Sequence, residues 1–244
     1  MKKAVKAILQ KSKIGTFILE KRAILLEMSY YLRKLKFKRF KNYSERFIYY
    51  YEKNIWGNDE SVSGRGSTLE YTKNLRESLD KLFIDYNIKS ITDAPCGDFN
   101  WLKLVNLDNI LYKGCDIVPH LIKKNQELYG ANNIDFSILN IINEQIPKAD
   151  LWICRDVLFH FSNNDIKLTI DNYLKSDVEF LLTTSYELTK KNRNIKTGEY
   201  RPLNLQIEPF LFPMPILKID DSNYGEHPGR IMGLWAKKDI ISCL

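Results

Sequence analysis

The chain has 244 residues and a mass of 28.7 kDa, and 44% of its residues are hydrophobic and 27% charged. This composition excludes collagen-like, mucin-like and wholly disordered chains, and it suffices for one well-packed domain with an appendage. The formal net charge of +7 is unevenly distributed, because residues 1–54 carry 15 Lys and Arg against 4 Asp and Glu, which leaves 22 against 26 for the remainder. The sequence therefore predicts a basic helical arm over residues 1–54 and a mildly acidic domain over residues 55–244.

The arm repeats apolar residues such as Phe17, Leu25 and Leu32 at helical spacing, which predicts one or two amphipathic helices. Such helices could pack on the domain or on a partner protein, lie on an anionic membrane surface, or contact nucleic acid. Nucleic acid is the least favoured of these partners, because the arm lacks aromatic platforms and known RNA- or DNA-binding motifs.

Charged residues interrupt every apolar run that could serve as a membrane span or a signal-peptide core. We therefore expect a cytoplasmic protein, with the arm at the inner face of the membrane as an alternative. The four cysteines have no CxxC spacing, which predicts reduced thiols, and the three histidines form no metal-ligand pattern, which predicts no metal site.

Short β-rich runs alternate with helical stretches along the domain, as in a parallel sheet covered on both faces. Ser67 and Glu70 form a capping-box pattern that predicts a helix running to about Tyr86. Strands are predicted at 90–93, 111–116, 134–139, 151–155 and 180–185, and an antiparallel pair at 215–219 and 230–237. The expected fold class is α/β: a Rossmann-like doubly wound sheet of seven strands with a C-terminal antiparallel hairpin, preceded by N-terminal helices.

The turn after the first predicted strand reads DAPCGDFN from Asp93, and ligands of open α/β sheets bind at such strand ends. A GxGxxG fingerprint is absent, and Asp98 would repel a pyrophosphate. Acidic residues favour a ligand with a positive centre and no phosphate, such as S-adenosylmethionine. Asp116 ends the second strand, where a carboxylate accepts hydrogen bonds from the ribose of an adenosine cofactor.

Five motifs occur in order along the domain: SGxGST, DxPCGDFNW, DIVPxLI, DLxxxRDVLFHxS and GxxRxLNL. With them the chain resembles the class I S-adenosylmethionine-dependent methyltransferases, over about residues 56–235. More narrowly, it is similar to a bacterial branch associated with the synthesis of capsule or other surface glycans. The resemblance implies a methyltransferase of the EC 2.1.1 class with S-adenosylmethionine as its cofactor.

The resemblance also implies which residues contact the cofactor. The turn after the first strand would line the methionine half, the end of the second strand would hold the ribose, and the segment after the third strand would meet the adenine. Phe99 stands where glycine is frequent in the family, which indicates a different path for the turn. The residues assigned to the cofactor are Asp93, Cys96, Gly97, Asp98, Asp116, Ile117, Asn140, Ile141 and Arg155.

The catalytic candidates are Asp156 and His160, which follow the fourth strand four residues apart. Methyl transfer depends mainly on placing the acceptor atom, and a base is needed only if that atom carries a proton. We expect Asp156 and His160 to orient the acceptor and remove its proton, and Arg155 to meet an anionic group or pair with Asp156. A structural hydrogen bond inside the strand–helix corner is the alternative for His160.

Two segments are expected to shape the acceptor site. The loop before the first domain helix offers backbone donors and Arg65 to an anion, with helix capping as its alternative role. The insertion after the fifth strand would fold over the cleft. Arg201 of the insertion, Arg65 of the loop and Arg155 together suggest an anionic acceptor. The residues assigned to the acceptor are Arg65, Ser67, Thr68, Tyr186, Arg201 and Asn204.

Taken together, these features predict O-methylation of a sugar hydroxyl or a phosphoramidate-type group on a capsular or surface glycan or its precursor. Within the enzyme class, the alternative is a small-molecule or protein methyltransferase. Outside it, the alternative is a catalytically silent subunit that keeps the cofactor fold and uses the basic arm to hold a partner.

Overall fold

The structure is a computed structural model that describes residues 40–56, 58–223 and 227–243. The chain divides into two units, residues 1–45 and 46–244, and of the first unit residues 40–45 are described. Helix α1 spans Tyr43–Glu52, and the rest of the predicted arm helices lies outside the described residues. The proposed domain limits at residues 54 and 55 stay a prediction.

A seven-stranded sheet in the order β3-β2-β1-β4-β5-β7-β6 forms the centre of the larger unit. Strands β1 to β5 are parallel, and β7 runs antiparallel to both β5 and β6. The predicted α/β class with a C-terminal antiparallel hairpin is therefore confirmed. The strands are β1 (Ser90–Asp93), β2 (Leu111–Asp116), β3 (Ile134–Ile138), β4 (Ala149–Cys154), β5 (Val178–Tyr186), β6 (Leu217–Asp220) and β7 (Arg230–Ala236).

The interior strands have few exposed residues, because helices cover both faces of a parallel sheet. In β4 all residues except Asp150 are buried, and in β7 all seven are buried. Such continuous apolar runs fit central strands, whereas β6 at the edge buries one residue of four. The C-terminal hairpin was expected at the sheet edge, and the burial pattern explains why β7 lies inside it and β6 outside.

The strand register brings three strand ends to one edge of the sheet. Asp93 at the end of β1 pairs with Gly114 of β2 on one side and Ile153 of β4 on the other. The residues that follow β1, β2 and β4 therefore meet at the carboxyl edge, where α/β proteins bind their ligands.

The remaining helices are α2 (Lys73–Asp85), α3 (Pro119–Tyr129), α4 (Asn163–Leu174) and the short α5 (Lys237–Ile241). The predicted capping box at Ser67 is wrong. Ser67 ends a single 3-10 turn over Arg65–Ser67, and α2 begins six residues later with Thr72 at its N-cap position. The SGxGST segment is therefore a loop that packs against the site.

Three of the four cysteines lie at strand ends or beside them, namely Cys96, Cys115 and Cys154, and they are buried free thiols. Cys243 near the C-terminus is a free thiol exposed to solvent. Within the described ranges, no group of acidic, His and Cys side chains could hold a metal ion, and no helix is long and apolar enough to cross a membrane.

Candidate active site

The turn after β1 is tied to both neighbouring strands. The Ala94 amide donates to the Ile153 carbonyl at 3.0 Å and the Cys96 amide to the Cys115 carbonyl at 2.8 Å. The Asp93 side chain is 2% exposed and accepts a hydrogen bond from the Tyr112 hydroxyl at 2.7 Å. Burial raises the pKa of Asp93 to about 7, and the charge of Asp116 adds to the shift.

Asp116 turns its carboxylate back toward the β1 turn. One oxygen accepts the Gly97 amide at 3.2 Å, and the other accepts the Val118 amide at 3.1 Å. Burial raises its pKa to about 6, and the neighbouring Asp98 carboxylate contributes to this increase. Two backbone amides use about half of the acceptor capacity of a carboxylate, so Asp116 retains lone pairs for further hydroxyl groups.

Asp98 holds the SGxGST loop against the turn. Its carboxylate accepts hydrogen bonds from the Ser61 hydroxyl and the Val62 amide at 3.0 Å each, and from the Ser63 hydroxyl at 3.2 Å. A Cβ at Gly97 would come within 2.2 Å of the Ser63 hydroxyl oxygen, which accounts for glycine there. Asp98 was predicted to line the cofactor, and the structure uses its oxygens to close this loop.

Phe99 has the left-handed φ of +57° that glycine adopts readily. Its ring is buried and packs against Tyr112, Tyr129 and Phe136 at centroid distances of 5.0–5.3 Å. The turn therefore directs the ring into the core, away from solvent.

The predicted adenine segment follows β3. The Asn140 side-chain oxygen accepts the Ile142 amide at 3.2 Å and so caps a tight turn. Ile141 is buried, and its carbonyl accepts from Asn172. Ile117, after β2, is partly buried. The contacts of these residues with a cofactor stay a prediction.

Four charged side chains, three of them buried and Asp156 partly buried, meet beyond β4. Arg155 binds both carboxylate oxygens of Asp221 at 3.0 and 3.1 Å, and Arg230 binds both oxygens of Asp156 at 2.7 and 2.9 Å. Arg230 also donates to Asp221 at 2.7 Å, and Arg155 lies 3.3 Å from Asp156. We call these four residues the charge cluster. Sequence reasoning predicted its Arg155–Asp156 pair and missed Asp221 and Arg230.

The charge cluster fixes the ionisation of Asp156. Burial alone would raise its pKa, but Arg155 and Arg230 hold the pKa of Asp156 near 2. The Thr184 hydroxyl also donates to this carboxylate at 3.0 Å. A permanently ionised, fully bonded carboxylate is a weak base, so this geometry suits Asp156 for positioning better than for removing a proton.

Neighbouring residues seal the charge cluster. The Tyr71 ring lies 5.0 Å from the Arg230 guanidinium carbon, and a Cβ at Gly66 would come within 2.7 Å of Asp156. Arg155 donates to the Gly66 carbonyl at 2.7 Å, which anchors the SGxGST loop here as well. The pair of acidic residues before β7 and the arginine at its start were the sequence signal for this arrangement.

His160 ends a 3-10 turn over Leu158–His160 and is partly buried. Its Nδ1 lies 2.8 Å from the Glu199 carbonyl oxygen, which can only accept, so Nδ1 carries the hydrogen and Nε2 has the free lone pair. Burial lowers the pKa of His160, which favours the neutral ring. Among the described residues, no hydrogen bond reaches Nε2. The predicted structural bond and an available basic nitrogen thus coexist in one side chain.

Two polar side chains of the insertion after β5 make their hydrogen bonds within the protein. Arg201 is fully buried and donates to the carbonyls of Arg193 and Leu158 and to the Asn163 side chain. Asn204 donates to the carbonyls of Glu187 and Thr189. These two residues were predicted to point into the cleft. The hydrogen bonds of Asn204 instead hold the insertion together, and those of Arg201 also tie it to the turn after β4 and to the start of α4.

The other predicted acceptor residues lie on two elements. Tyr186 ends β5, and its hydroxyl accepts from Arg230 at 3.4 Å and from the Tyr200 hydroxyl at 3.5 Å. In the loop, Ser67 is buried, and its carbonyl accepts from Asn100 at 3.1 Å. Thr68 donates to the Arg65 carbonyl at 3.0 Å, and Arg65 is exposed. Arg155 and Arg201 direct their guanidinium groups to protein partners.

No family model matches the chain, and no curated protein matches it in sequence. Among solved structures, the methyltransferase domain of bacterial CtHen1 has a TM-score of 0.51 at 13% identity, covering 68% of this chain and 99% of that one. The N-methyltransferase NodS from Bradyrhizobium japonicum WM9 has 0.50 at 11% identity, covering 68% and 96%. LaPhzM has 0.50 at 12% identity, covering 67% of this chain and about half (54%) of its own length. These likenesses show that the chain has a Rossmann-like methyltransferase fold.

Proposed function

We propose that the protein transfers a methyl group from S-adenosylmethionine to a hydroxyl group of an acceptor. The observation that carries this proposal is the acidic carboxyl edge of the sheet, where Asp93, Asp98 and Asp116 surround the turn after β1. The fold shared with methyltransferases and the five sequence motifs support it.

The residues of this edge fit S-adenosylmethionine. The ligand is cationic at its sulfonium and amino groups. Besides burial, the charge of Asp116 raises the pKa of Asp93 and the charge of Asp98 raises the pKa of Asp116, so a positive ligand charge would relieve this repulsion. Asp116 would hold the ribose diol with its remaining lone pairs, and the β1 turn would contact the methionine half. When bound, this cofactor supplies a methyl group on a good leaving group.

His160 is the residue that would remove the acceptor's proton. Its neutral ring, with Nδ1 held by the Glu199 carbonyl and Nε2 open, has the form that a general base requires. Asp156 would act through the charge cluster, which fixes the end of β4 next to His160. An available base at this position favours an enzyme over a silent cofactor-binding subunit.

For the acceptor, we propose a sugar hydroxyl or a phosphoramidate-type group on a capsular or surface glycan or its precursor. The sequence resemblance supports this choice, and a hydroxyl acceptor agrees with the need for a base. Two of the arginines expected at an anionic acceptor, Arg155 and Arg201, bind protein partners. We further propose a cytoplasmic enzyme whose basic arm contacts a partner protein or the inner face of a membrane. Small-molecule and protein acceptors are the competing classes.

Calorimetry with S-adenosylmethionine, S-adenosylhomocysteine and NAD tests the cofactor. We expect binding of the first two, and binding of NAD alone would overturn the proposal. Once an acceptor turns over, His160→Gln should reduce kcat by about 100-fold or more while the affinity for S-adenosylhomocysteine stays within about twofold. Unchanged kcat would remove His160 from the reaction. Leu168→Ala, at an exposed site on α4, serves as the matched control.

A further inference from the structure

Two exposed aromatic rings flank His160. The Trp56 ring lies 6.5 Å from the His160 ring, and the Tyr200 ring lies 5.9 Å from it, both measured between centroids. Trp56 is 36% and Tyr200 46% exposed, whereas the other tryptophans, Trp101, Trp152 and Trp235, are buried. A large aromatic surface exposed to solvent, next to a nitrogen with an unused hydrogen-bond acceptor position, is typical of a binding surface.

Trp56 is held firmly in this position. It packs edge-on against Tyr50 of α1 at a centroid distance of 5.6 Å. On its other side, a Cβ at Gly64 would come within 3.0 Å of the Trp56 Cβ, and Gly64 has a φ of +92°. The first glycine of the SGxGST motif therefore gives the tryptophan room to approach the loop.

Tyr200 is placed by backbone hydrogen bonds between its own segment and the His160 turn. The Gly198 amide donates to the His160 carbonyl at 2.7 Å, and the Arg201 amide donates to the Phe159 carbonyl at 3.2 Å. Arg46 and Tyr50 of α1 both donate to the same segment, at the Thr197 and Gly198 carbonyls. Both rings are thus supported by the protein close to His160.

The rings favour a neutral acceptor. An aromatic face carries negative potential, so it attracts the polarised C–H groups of a sugar ring and disfavours a phosphate or carboxylate. Three arginines bonded to the segment that carries Tyr200 use their guanidinium groups within the protein: Arg46 donates to the Thr197 carbonyl, Arg193 to the Tyr200 carbonyl and Arg201 to the Leu158 carbonyl. The two rings are also tilted from the His160 plane, by 46° and 55°, so neither is stacked parallel on the imidazole.

We propose that Trp56 and Tyr200 form the two walls of the acceptor subsite, and that they receive the neutral ring of a sugar whose free hydroxyl hydrogen-bonds to Nε2 of His160. This inference rests on the proposed methyltransferase function and specifies its acceptor. In the reaction, the hydroxyl oxygen forms the new bond to the methyl carbon, the bond from that carbon to the sulfonium sulfur breaks, and the hydroxyl proton passes to Nε2.

Fluorine NMR on protein labelled with 5-fluorotryptophan tests the walls directly, because Trp56 is the exposed one of the four tryptophans. Trp56→Phe assigns its resonance. The labelled protein, saturated with S-adenosylhomocysteine, is titrated with neutral methyl glucoside, galactoside and mannoside and with the anionic methyl glucuronoside. We expect at least one neutral pyranoside to shift the Trp56 resonance saturably, and the glucuronoside to bind more weakly.

Tyr200→Ala should weaken that binding about tenfold, and Tyr200→Phe, which keeps an aromatic ring, should bind more tightly than Tyr200→Ala. The exposed control Ile84→Ala should leave the binding nearly unchanged. The proposal is overturned if no neutral pyranoside shifts the resonance, if the glucuronoside binds as tightly, or if Tyr200→Ala binds like the unmodified chain. Calorimetry on the same samples measures the binding of S-adenosylhomocysteine independently of the sugar titration. Loss of cofactor binding by the unmodified chain would contradict the proposed function, and the sugar titration decides the walls.

Discussion

At the ends of β1 and β2, Asp93 and Asp116 accept hydrogen bonds from neutral groups of the described chain, whereas beyond β4 Asp156 and Asp221 are bound by two arginines. The first pair has raised pKa values, and Asp156 has a lowered one. Aspartate side chains at one edge of the sheet thus serve two different purposes. Carboxylates that lack a basic partner are suited to a cationic ligand, and those that have one join distant segments.

Breaking the charge cluster should have the largest effect. Asp221→Asn leaves two buried arginines facing one carboxylate, and losing one partner of a buried ion network costs about 3–5 kcal/mol of unfolding free energy. Urea denaturation measures this loss. Asp85→Asn, which breaks the exposed pair with Lys81, should cost less than about 1 kcal/mol. Equal losses in the two variants would mean that the cluster is energetically unimportant.

Removing a carboxylate from the β1–β2 edge should instead affect the ligand. We expect Asp116→Asn to lower the affinity for S-adenosylhomocysteine about 100-fold, because hydrogen bonds to a charged acceptor are lost, while the fold persists. Calorimetry provides the measurement. Asp135→Asn, at an exposed site on β3, is the control and should bind normally. Undiminished affinity in Asp116→Asn would show that the ribose lies elsewhere.

The pH dependence of S-adenosylmethionine affinity offers a finer test of the carboxylates at the ends of β1 and β2. Since the pKa of Asp116 is about 6, protonation of its carboxylate should lower S-adenosylmethionine affinity by up to about tenfold per pH unit below that value, in addition to any change near pH 7 that comes from Asp93. A titration series from pH 5 to pH 8 checks this at constant ionic strength. In Asp116→Asn this dependence should flatten, and a persistent break near pH 6 would point to a different group.

Asp93 should affect the stability of the fold gradually, over several pH units. Its folded-state pKa of about 7 exceeds the ordinary value of 3.8, so the folded chain binds more protons than the unfolded chain between these limits. Unfolding free energy should therefore decrease as the pH rises through this window, by up to about 1.4 kcal/mol per unit from this group. Asp93→Asn should remove that slope, which urea denaturation at several pH values would reveal.

The sequence predicted the β1–β2 edge far better than the charge cluster. Strands β1 and β2 begin and end where their patterns indicated, and Asp93 and Asp116 follow local rules of strand ends. The charge cluster joins Asp156 to Arg230, 74 residues apart, through a strand inserted between β5 and β6. No local pattern specifies such a pairing, because it depends on the strand order.

The capping box failed for a related reason. Ser67 and Glu70 have the right spacing, but Arg155 and Asn100 bind the carbonyls of Gly66 and Ser67 and hold this segment as a loop. Tertiary hydrogen bonds outweighed a local helix signal. His160 shows the opposite outcome, since its position after β4 was foreseeable and its tautomer required the Glu199 carbonyl, 39 residues away.

The distribution of the thiols has a practical consequence. Burial raises the pKa of Cys96, Cys115 and Cys154, so these groups stay protonated and shielded at neutral pH, whereas Cys243 is exposed. A maleimide reagent should therefore label the native chain at Cys243 alone, just after the last helix. The natural sequence thus already carries a single attachment point for a dye or spin label, on the segment after β7, without any engineered cysteine.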